Sequence, residues 1–159
     1  MNDNDQMTTI RSIMKDVRTC MLVTTAEDGA LHAAPMTTQE AEFDGDAWFI
    51  AGKDSETVRN LGARPHVNVS YSGSSSWLSL TGSASVVQDP AKMKELWNSF
   101  VEAWFPGGQD DPNIALIKVD GVSAQYWDSP GKVAMTLDMV KARVTGNTPT
   151  SGDSQKVDL

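Results

Sequence analysis

Residue types that could do chemistry on their own are few in this sequence. The chain has two histidines, His32 and His66, and one cysteine, Cys20, and none of them has the spacing of a metal-ligand pair. It contains no nucleophile elbow, no Walker loop and no dinucleotide-binding glycine motif. The adjacent carboxylates of Asp110 and Asp111 could suggest a metal, but neighbouring side chains on a loop usually face water, so we expect no metal. No catalytic residue can be assigned, and we expect any catalysis to depend on a cofactor.

Two segments have the composition of a cofactor site. In residues 32–37, Pro35 interrupts a predicted strand and can leave a neighbouring carbonyl or amide facing a ligand, although an ordinary edge strand explains the proline equally well. In residues 49–55 a strand leads into a helix, and the N-terminal amides of a helix bind anions. Lys53 adds a positive charge and Ser55 a hydroxyl. Helix capping by the serine is the alternative interpretation of this second segment.

The sequence is rich in tryptophan, with five in the chain. Trp48 and Trp97 fit core positions in their predicted elements. Trp77, Trp104 and Trp127 each lie beside a loop or at the end of an element. Flat rings at such places suit a planar aromatic ligand or a dimer interface, and ordinary packing is the alternative for each of them.

Hydrophobic periodicity and turn residues divide the chain into strands and helices. Gly62 should end the second helix, and Gly82 could mark a bulge in a long strand. Short hairpin connections exclude a doubly wound parallel sheet and favour an antiparallel sheet that closes into a small barrel, with helices packed outside. Helices are predicted at residues 5–17, 56–61, 90–104 and 137–144, and strands at 20–25, 31–38, 47–51, 67–71, 77–87 and 114–128.

The overall composition limits the classes of function. The chain has 159 residues, of which 40% are hydrophobic, and a formal net charge of −8, which suits one globular domain with little affinity for nucleic acid or anionic lipid. We place this domain at residues 1–145 and a polar, loosely held tail at residues 146–159. Cys20 should be an unreactive core residue. The single cysteine, the acidic N-terminus and the lack of a long apolar run predict a soluble cytoplasmic protein.

Several segments, taken in order, resemble one bacterial family. The segments are residues 36–49, Asp54-Ser55 followed by residues 67–71, Glu95-Leu96-Trp97, Ala103-Trp104-Phe105-Pro106, and Tyr126-Trp127-Asp128-Ser129-Pro130. In this arrangement the chain resembles the general stress protein 26 family, a branch of the pyridoxamine 5'-phosphate oxidase-like split barrels. The resemblance implies a mainly β fold, a six-stranded antiparallel split barrel with peripheral helices. It also implies a homodimer with two FMN sites at the subunit interface, whereas relatives elsewhere in the superfamily use the deazaflavin F420.

The resemblance also implies roles for individual residues. The strand around Pro35 would lie along the flavin, and residues 49–53 would contact its ring edge and ribityl chain. Ser55 would bind the phosphate and Trp77 would lie near the ring, with two further tryptophans approaching from the other subunit. The complete set of candidate cofactor-binding residues is His32, Ala34, Pro35, Met36, Phe49, Ile50, Ala51, Lys53, Ser55, Thr57, Trp77, Trp104 and Trp127.

Two positions depart from the family pattern and bear on cofactor affinity. The family usually has arginine where this chain has Ala34, and often has lysine where it has Thr57. Both missing groups would serve the phosphate, and each charged hydrogen bond to it contributes about 1.5–3 kcal/mol. We therefore expect a flavin site of reduced affinity. The arginine-histidine motif with which the oxidase binds its own substrate is also missing, so we do not expect pyridoxamine phosphate oxidation.

Three functions remain open at this point. The first is an FMN-dependent oxidoreductase of unknown substrate, in which the cofactor does the redox chemistry and the protein orients it. The second is a dimer that holds a flavin without turnover, and the third is a cofactor-free barrel that has lost its phosphate contacts. His32 is the histidine nearest the implied site, and we expect its role to be structural.

Overall fold

The computed structural model describes residues 2–39, 42–129, 131–146, 148 and 154–159. This part of the chain contains five helices and seven strands. The helices are α1 (Asp3–Asp16), α2 (Glu56–Ala63), α3 (Pro90–Leu96), α4 (Ser99–Trp104) and α5 (Gly131–Thr145). The strands are β1 (Thr19–Thr25), β2 (Leu31–Thr37), β3 (Asp46–Gly52), β4 (His66–Ser72), β5 (Ser76–Val87), β6 (Ile114–Asp128) and β7 (Ser154–Asp158).

The strands form one antiparallel sheet in the order β2-β1-β4-β5-β6-β3, with β7 added to β6. The predicted fold class, a mainly β split barrel with peripheral helices, is confirmed. Among the described residues the end strands β2 and β3 approach each other but share no hydrogen-bonded register, so the sheet is not closed there. Pro35 lies in β2, an edge strand of this sheet. The N–H that proline lacks therefore removes no hydrogen bond between strands.

The sheet has seven strands in the described residues, one more than the six predicted. The additional strand, β7, lies within residues 146–159, for which the sequence predicted a loosely held tail. Residues 154–158 are instead paired with residues 123–127 of β6, and Val157 is buried. Of the rest of the predicted tail, residues 147 and 149–153 lie outside the described part of the chain.

Gly82 occupies a bulge in β5, as predicted. The pairing of β5 with β6 shifts its register between Thr81 and Gly82. A Cβ atom added to Gly82 would lie 2.2 Å from the carbonyl oxygen of Asp120 on the neighbouring strand. The strands approach so closely at this point that only glycine fits without a shift of the backbone.

The core lies between the inner face of the sheet and the helices. Alternate residues of the strands point into it, and one face of α1 packs against them. Cys20 is buried there, as predicted. The largest buried side chains of this core are Tyr71, Phe49, Ile10, Leu22, Leu78, Leu80 and Ile117.

Several helix ends differ from the prediction. Asn2 caps α1 by accepting a hydrogen bond from the Asp5 amide, at 2.9 Å, so the helix begins at Asp3, two residues earlier than predicted. Gly62 lies inside α2 rather than at its end. The single helix predicted at residues 90–104 is two helices, because the Asn98 side chain accepts hydrogen bonds from the amides of Phe100 and Val101 and starts α4.

Trp48 and Trp97 are only half-buried, so their predicted core positions are wrong. Trp97 is the C-cap residue of α3, directly after its last helical residue. Trp48 lies on the outer face of β3, where the ammonium groups of Lys92 and Lys118 lie 5.1 and 5.9 Å from its ring centre. The indole is therefore covered by two cations instead of by the core.

Candidate functional site

The two segments that the sequence singled out meet in the folded chain. His32 Nε2 on β2 lies 3.4 Å from Glu56 Oε2 in the first turn of α2. The other ring nitrogen of the imidazole, Nδ1, is buried with no hydrogen-bond partner among the described residues. The contact with Glu56 was not predicted, because no local sequence pattern relates a strand residue to a helix residue 24 positions later. The contact between His32 and Glu56 places β2 beside the N-terminus of α2.

Hydrogen bonds around the end of β3 fix the start of α2. The Lys53 amide donates to the Asn113 carbonyl, at 2.7 Å, and the Ser55 amide donates to the Gly52 carbonyl, at 3.1 Å. Ser55 is the cap of the helix, since its Oγ accepts from the Val58 amide at 3.3 Å. The capping interpretation is therefore confirmed for Ser55. Capping uses the oxygen of the hydroxyl as acceptor and leaves its hydrogen available as a donor.

Two cationic side chains belong to this helix start. Lys53 is exposed and forms no salt bridge with the described residues. Arg59 is the second cation: its Nη1 donates to the carbonyl oxygen of Asp54, at 2.6 Å, which brings the guanidinium back to the start of the helix. The sequence analysis missed Arg59. Its position one helical turn after Ser55 was a usable signal, because residues four apart lie on the same side of a helix.

The candidate residues of β2 and β3 do not share one face of the sheet. Met36, Phe49 and Ala51 point into the core and are buried. Pro35 and Ile50 alternate with them and point outward. Only the backbone of the inward-facing residues can therefore meet a ligand outside the barrel.

The two positions that depart from the family pattern have different surroundings. Ala34 is half-buried and packs against the core. Thr57 is 2% exposed, so its side chain is enclosed by the protein. The neighbouring Asn60 is also buried and donates from Nδ2 to Thr24 Oγ1, at 3.0 Å. The inner face of α2 is thus partly polar.

The three candidate tryptophans lie at element ends, as expected. Trp77 of β5 is directly opposite Trp127 of β6 on the outer face of the sheet. Trp77 is 39% exposed, and Trp104, at the end of α4, is 70% exposed. Such exposure of indole rings leaves apolar surface that a ligand or a partner can cover.

The tryptophan pair and the start of α2 are far apart within one chain. Strand pairing aligns Trp77 with Ser72 and, through the neighbouring strands, with the Thr37 end of β2. His32 lies five residues from Thr37 along β2, and β2 is three strands away from β5, the strand of Trp77. With a rise of about 3.3 Å per residue and a strand spacing of about 4.8 Å, the separation is roughly 20 Å along the sheet.

Two further titratable groups, Cys20 and Tyr71, are buried in the core. Burial raises the pKa of the Cys20 thiol from 9.0 to about 11, so the thiol is protonated at neutral pH. Burial also raises the pKa of Tyr71. Within the described ranges no group of three or more histidine, cysteine, aspartate or glutamate residues could hold a metal ion. In the same ranges no helix has both the length and the apolar character that crossing a membrane requires.

Comparisons with known proteins agree with this architecture. The model of the family described as "Pyridoxamine 5'-phosphate oxidase like" matches residues 5–150. The chain is 29% identical to protein bli-3 of Neurospora crassa over 157 residues, which covers 89% of this chain and 74% of that protein.

Two solved structures show the similarity in three dimensions. A general stress protein 26 from Jannaschia sp. CCS1 has a TM-score of 0.81 and 28% identity, and the match covers 98% of this chain and 99% of that one. A general stress FMN/FAD binding protein from Xanthomonas citri has a TM-score of 0.70 and 35% identity, and the match covers 82% of this chain and 93% of that one.

Proposed function

Because the chain belongs to the pyridoxamine 5'-phosphate oxidase-like family, in its general stress protein branch, we propose that it binds FMN and acts as a flavin-dependent oxidoreductase. The observation that supports this proposal best is the meeting of β2 with the start of α2, where Lys53, Ser55 and Arg59 can bind a phosphate. The similar Xanthomonas citri protein is described as an FMN/FAD binding protein.

The residues at the start of α2 fit a phosphate by charge and by hydrogen bonding. Lys53 and Arg59 supply two cations, which matches the nearly two negative charges of an FMN phosphate. The Ser55 hydroxyl and the free amides of the first helical turn supply donors. The unpartnered Nδ1 of His32 is a further polar atom beside this site. Glu56 places a carboxylate beside the phosphate position, where its Oε2 lies 3.4 Å from His32 Nε2.

The proposed division of labour leaves the redox step to the cofactor. FMN, when bound, supplies an N5 edge that accepts a hydride or electrons from a donor. The chain's own residues bind and orient it: Lys53, Ser55 and Arg59 hold the phosphate, and the backbone of residues 34–36 and 49–53 lines the flavin. We assign no acid or base to the chain.

We also propose that the protein is cytoplasmic, because its one cysteine is a free thiol.

We further propose that the protein is a homodimer with the cofactor at the interface. His32, beside the start of α2, lies roughly 20 Å from the Trp77–Trp127 pair along the sheet, as estimated from strand spacing and rise. A two-fold related copy can bring its tryptophans, including the exposed Trp104, toward the flavin held by the first chain. Light scattering at micromolar concentration should give about twice the 17.2 kDa mass of one chain. A mass of one chain contradicts this part of the proposal.

Two alternatives rest on specific observations. A flavin carrier without turnover needs only the phosphate-binding side chains at the start of α2, such as Arg59, whose guanidinium lies beside the Asp54 carbonyl. A barrel without cofactor is favoured by Ala34 and by the carboxylate of Glu56 beside the phosphate position. The deazaflavin F420, used elsewhere in the superfamily, is the alternative cofactor.

Titration of the purified protein with FMN and riboflavin tests the proposal. We expect FMN to bind more tightly than riboflavin, inorganic phosphate to compete, and Lys53→Ala or Arg59→Ala to weaken FMN by about tenfold each, because each removes one charged hydrogen bond. Arg64→Ala is the matched control, since Arg64 caps the opposite end of α2 and donates to Glu27. It should leave FMN affinity unchanged.

The outcomes of this experiment separate the three functions. Equal affinity for FMN and riboflavin would mean that the anion site is not used. Bound FMN that NADH or NADPH bleaches supports the oxidoreductase, whereas bound FMN that neither reduces supports the carrier. No binding of either flavin supports the cofactor-free barrel.

A further inference from the structure

The outer face of the sheet carries no lysine, arginine, aspartate or glutamate over most of five neighbouring strands. On β2, β1, β4, the first half of β5 and the last part of β6, alternate residues point away from the core, and strand pairing places them side by side in rows. We call this set the uncharged face. Its members are Thr19, Met21, Val23, Thr25, Leu31, Ala33, Pro35, Thr37, Asn68, Ser70, Ser72, Trp77, Ser79, Thr81, Ser123, Gln125 and Trp127.

The uncharged face is open to solvent in one chain. None of its members is buried, and its apolar side chains include Leu31, which is 77% exposed, and Met21, which is 38% exposed. Helices α1 and α2 pack against the opposite face of the sheet, where Ile10 and Leu61 belong to the core. An apolar surface of this extent on a soluble protein marks a place that a partner covers.

The distribution of charge indicates which partner fits the uncharged face. Charged residues make up 21% of the chain, but on this side of the sheet they begin only at the borders, with Lys156 and Asp158 on β7 and Asp120 beyond the bulge. Protein interfaces have the same anatomy, a centre depleted of charge and enriched in tryptophan and methionine, with a polar rim. Two copies of this chain, each with a net charge of −8, repel each other, and on this face neither copy brings a charge into the contact.

The size and position of the uncharged face also suit a dimer. β1, β2 and β4 have seven residues each. At about 3.3 Å per residue and about 4.8 Å between strands, five strands of this length cover roughly 23 by 24 Å. This area is of the same order as the about 800 Å² that each partner contributes to a stable interface. The face extends from β2, which borders the proposed flavin site, to Trp77 and Trp127.

We propose that a second copy of this chain covers the uncharged face, with the same face of both copies in contact and Ser70 of one copy opposite Ser70 of the other. This inference rests on the homodimer of the proposed function and adds which surface forms it. A two-fold axis repeats the same contact on both copies, so the centre of the face, near Ser70 on the middle strand β4, meets its own counterpart. Asn68 Nδ2 beside it donates to Ser79 Oγ, at 2.8 Å, so part of the polar centre is already hydrogen-bonded when water leaves.

Ser70→Glu and Ser85→Glu are a matched pair of variants that tests the face. Both serines are exposed on the sheet and both changes add one negative charge, but Ser85 lies beyond the bulge, opposite Lys118. Without added flavin, we expect the natural chain and Ser85→Glu to be dimers by light scattering at micromolar concentration. Ser70→Glu should be a monomer, with a dissociation constant raised at least about 100-fold, because two like charges meet in the contact.

Mixing two oppositely charged variants tests the position of Ser70. Ser70→Lys alone should also be a monomer. Ser70→Lys and Ser70→Glu refolded together should give a dimer that holds one chain of each, because opposite charges then face each other. The mixture gives this result even where neither variant folds alone, since the mixed dimer restores the contact.

The outcomes distinguish this inference from the proposed homodimer. A dimeric Ser70→Glu, or a mixture that stays monomeric while the natural chain is a dimer, overturns the assignment of the uncharged face and leaves the homodimer standing. A natural chain that is itself monomeric overturns both and leaves the face to a different protein.

Discussion

Replacing Cys20 by alanine should make the protein less sensitive to alkaline pH. Burial raises the pKa of the Cys20 thiol from 9.0 to about 11. The folded state therefore holds the proton more tightly than the unfolded state. A group of this kind contributes its full stability below the unfolded pKa and loses it as the pH rises through the folded pKa. For Cys20 the window runs from pH 9 to about pH 11.

The size of the effect follows from the two pKa values. A rise from 9.0 to about 11 corresponds to about 2.7 kcal/mol of folding free energy, of which about half is lost by pH 10. Between pH 8 and pH 10.5 the expected loss is about 1.9 kcal/mol. Cys20→Ala lacks this loss, although the cavity it leaves lowers its stability at neutral pH.

Urea unfolding followed by tryptophan fluorescence at pH 8, 9, 10 and 10.5 measures the effect. The difference in unfolding free energy between the natural chain and Cys20→Ala should shrink by about 1.9 kcal/mol over this range. Tyr71, whose pKa burial also raises, is present in both proteins, so its own alkaline loss largely cancels. Two parallel stability curves would refute the reasoning, because they would mean that Cys20 has the same pKa in both states.

Four further substitutions have expected outcomes. Gly82→Ala should lower the free energy of unfolding, measured in urea, by about 2–3 kcal/mol, because its Cβ would lie 2.2 Å from the Asp120 carbonyl oxygen. The control, Gly62→Ala in α2, has no atom within 4 Å of its Cβ and should be neutral or stabilising by up to about 1 kcal/mol. Equal losses for the two variants would contradict the close approach at Gly82. Asn98→Ala should cost about 1 kcal/mol through loss of the α4 cap, and an unchanged thermal midpoint would argue that the cap contributes nothing. Glu56→Gln should tighten FMN about threefold in a fluorescence titration by removing a like charge beside the phosphate; weaker binding would show that the contact with His32 organises the site.

The parts of the fold that sequence could predict are those determined locally. A turn sequence at residues 27–29 and β-rich runs on both sides were sufficient for the β1–β2 hairpin. The bulge at Gly82 followed from a glycine inside a strand. The strand β7 was missed, because five residues with one buried side chain have too little periodicity and depend on pairing with β6. The break between α3 and α4 had a local signal in Asn98 that the continuous apolar stripe obscured.

The sequence predicted which segments form the candidate site, but not which of their side chains contact each other. Lys53 and Ser55 were recognised because strand-to-helix junctions have free amides whatever the fold. The contact of His32 with Glu56 depends on how β2 lies against α2, which no local pattern specifies. The direction in which Met36 and Phe49 point was also not predicted, since alternation shows that faces differ but not which face is the core.

The arrangement of strands along β6 has a consequence for the order in which the sheet can assemble during synthesis. One edge of β6 pairs with β5, and the other is shared end to end by β3, along residues 114–120, and β7, along residues 123–127. β3 emerges from the ribosome before β6, whereas β7 emerges only afterwards. A nascent chain can therefore complete the order β2 to β3 while the Ser123–Trp127 stretch still has a bare edge. Bare edges recruit strands from other chains, so a chain whose β7 has not yet paired is open to mispairing along this stretch.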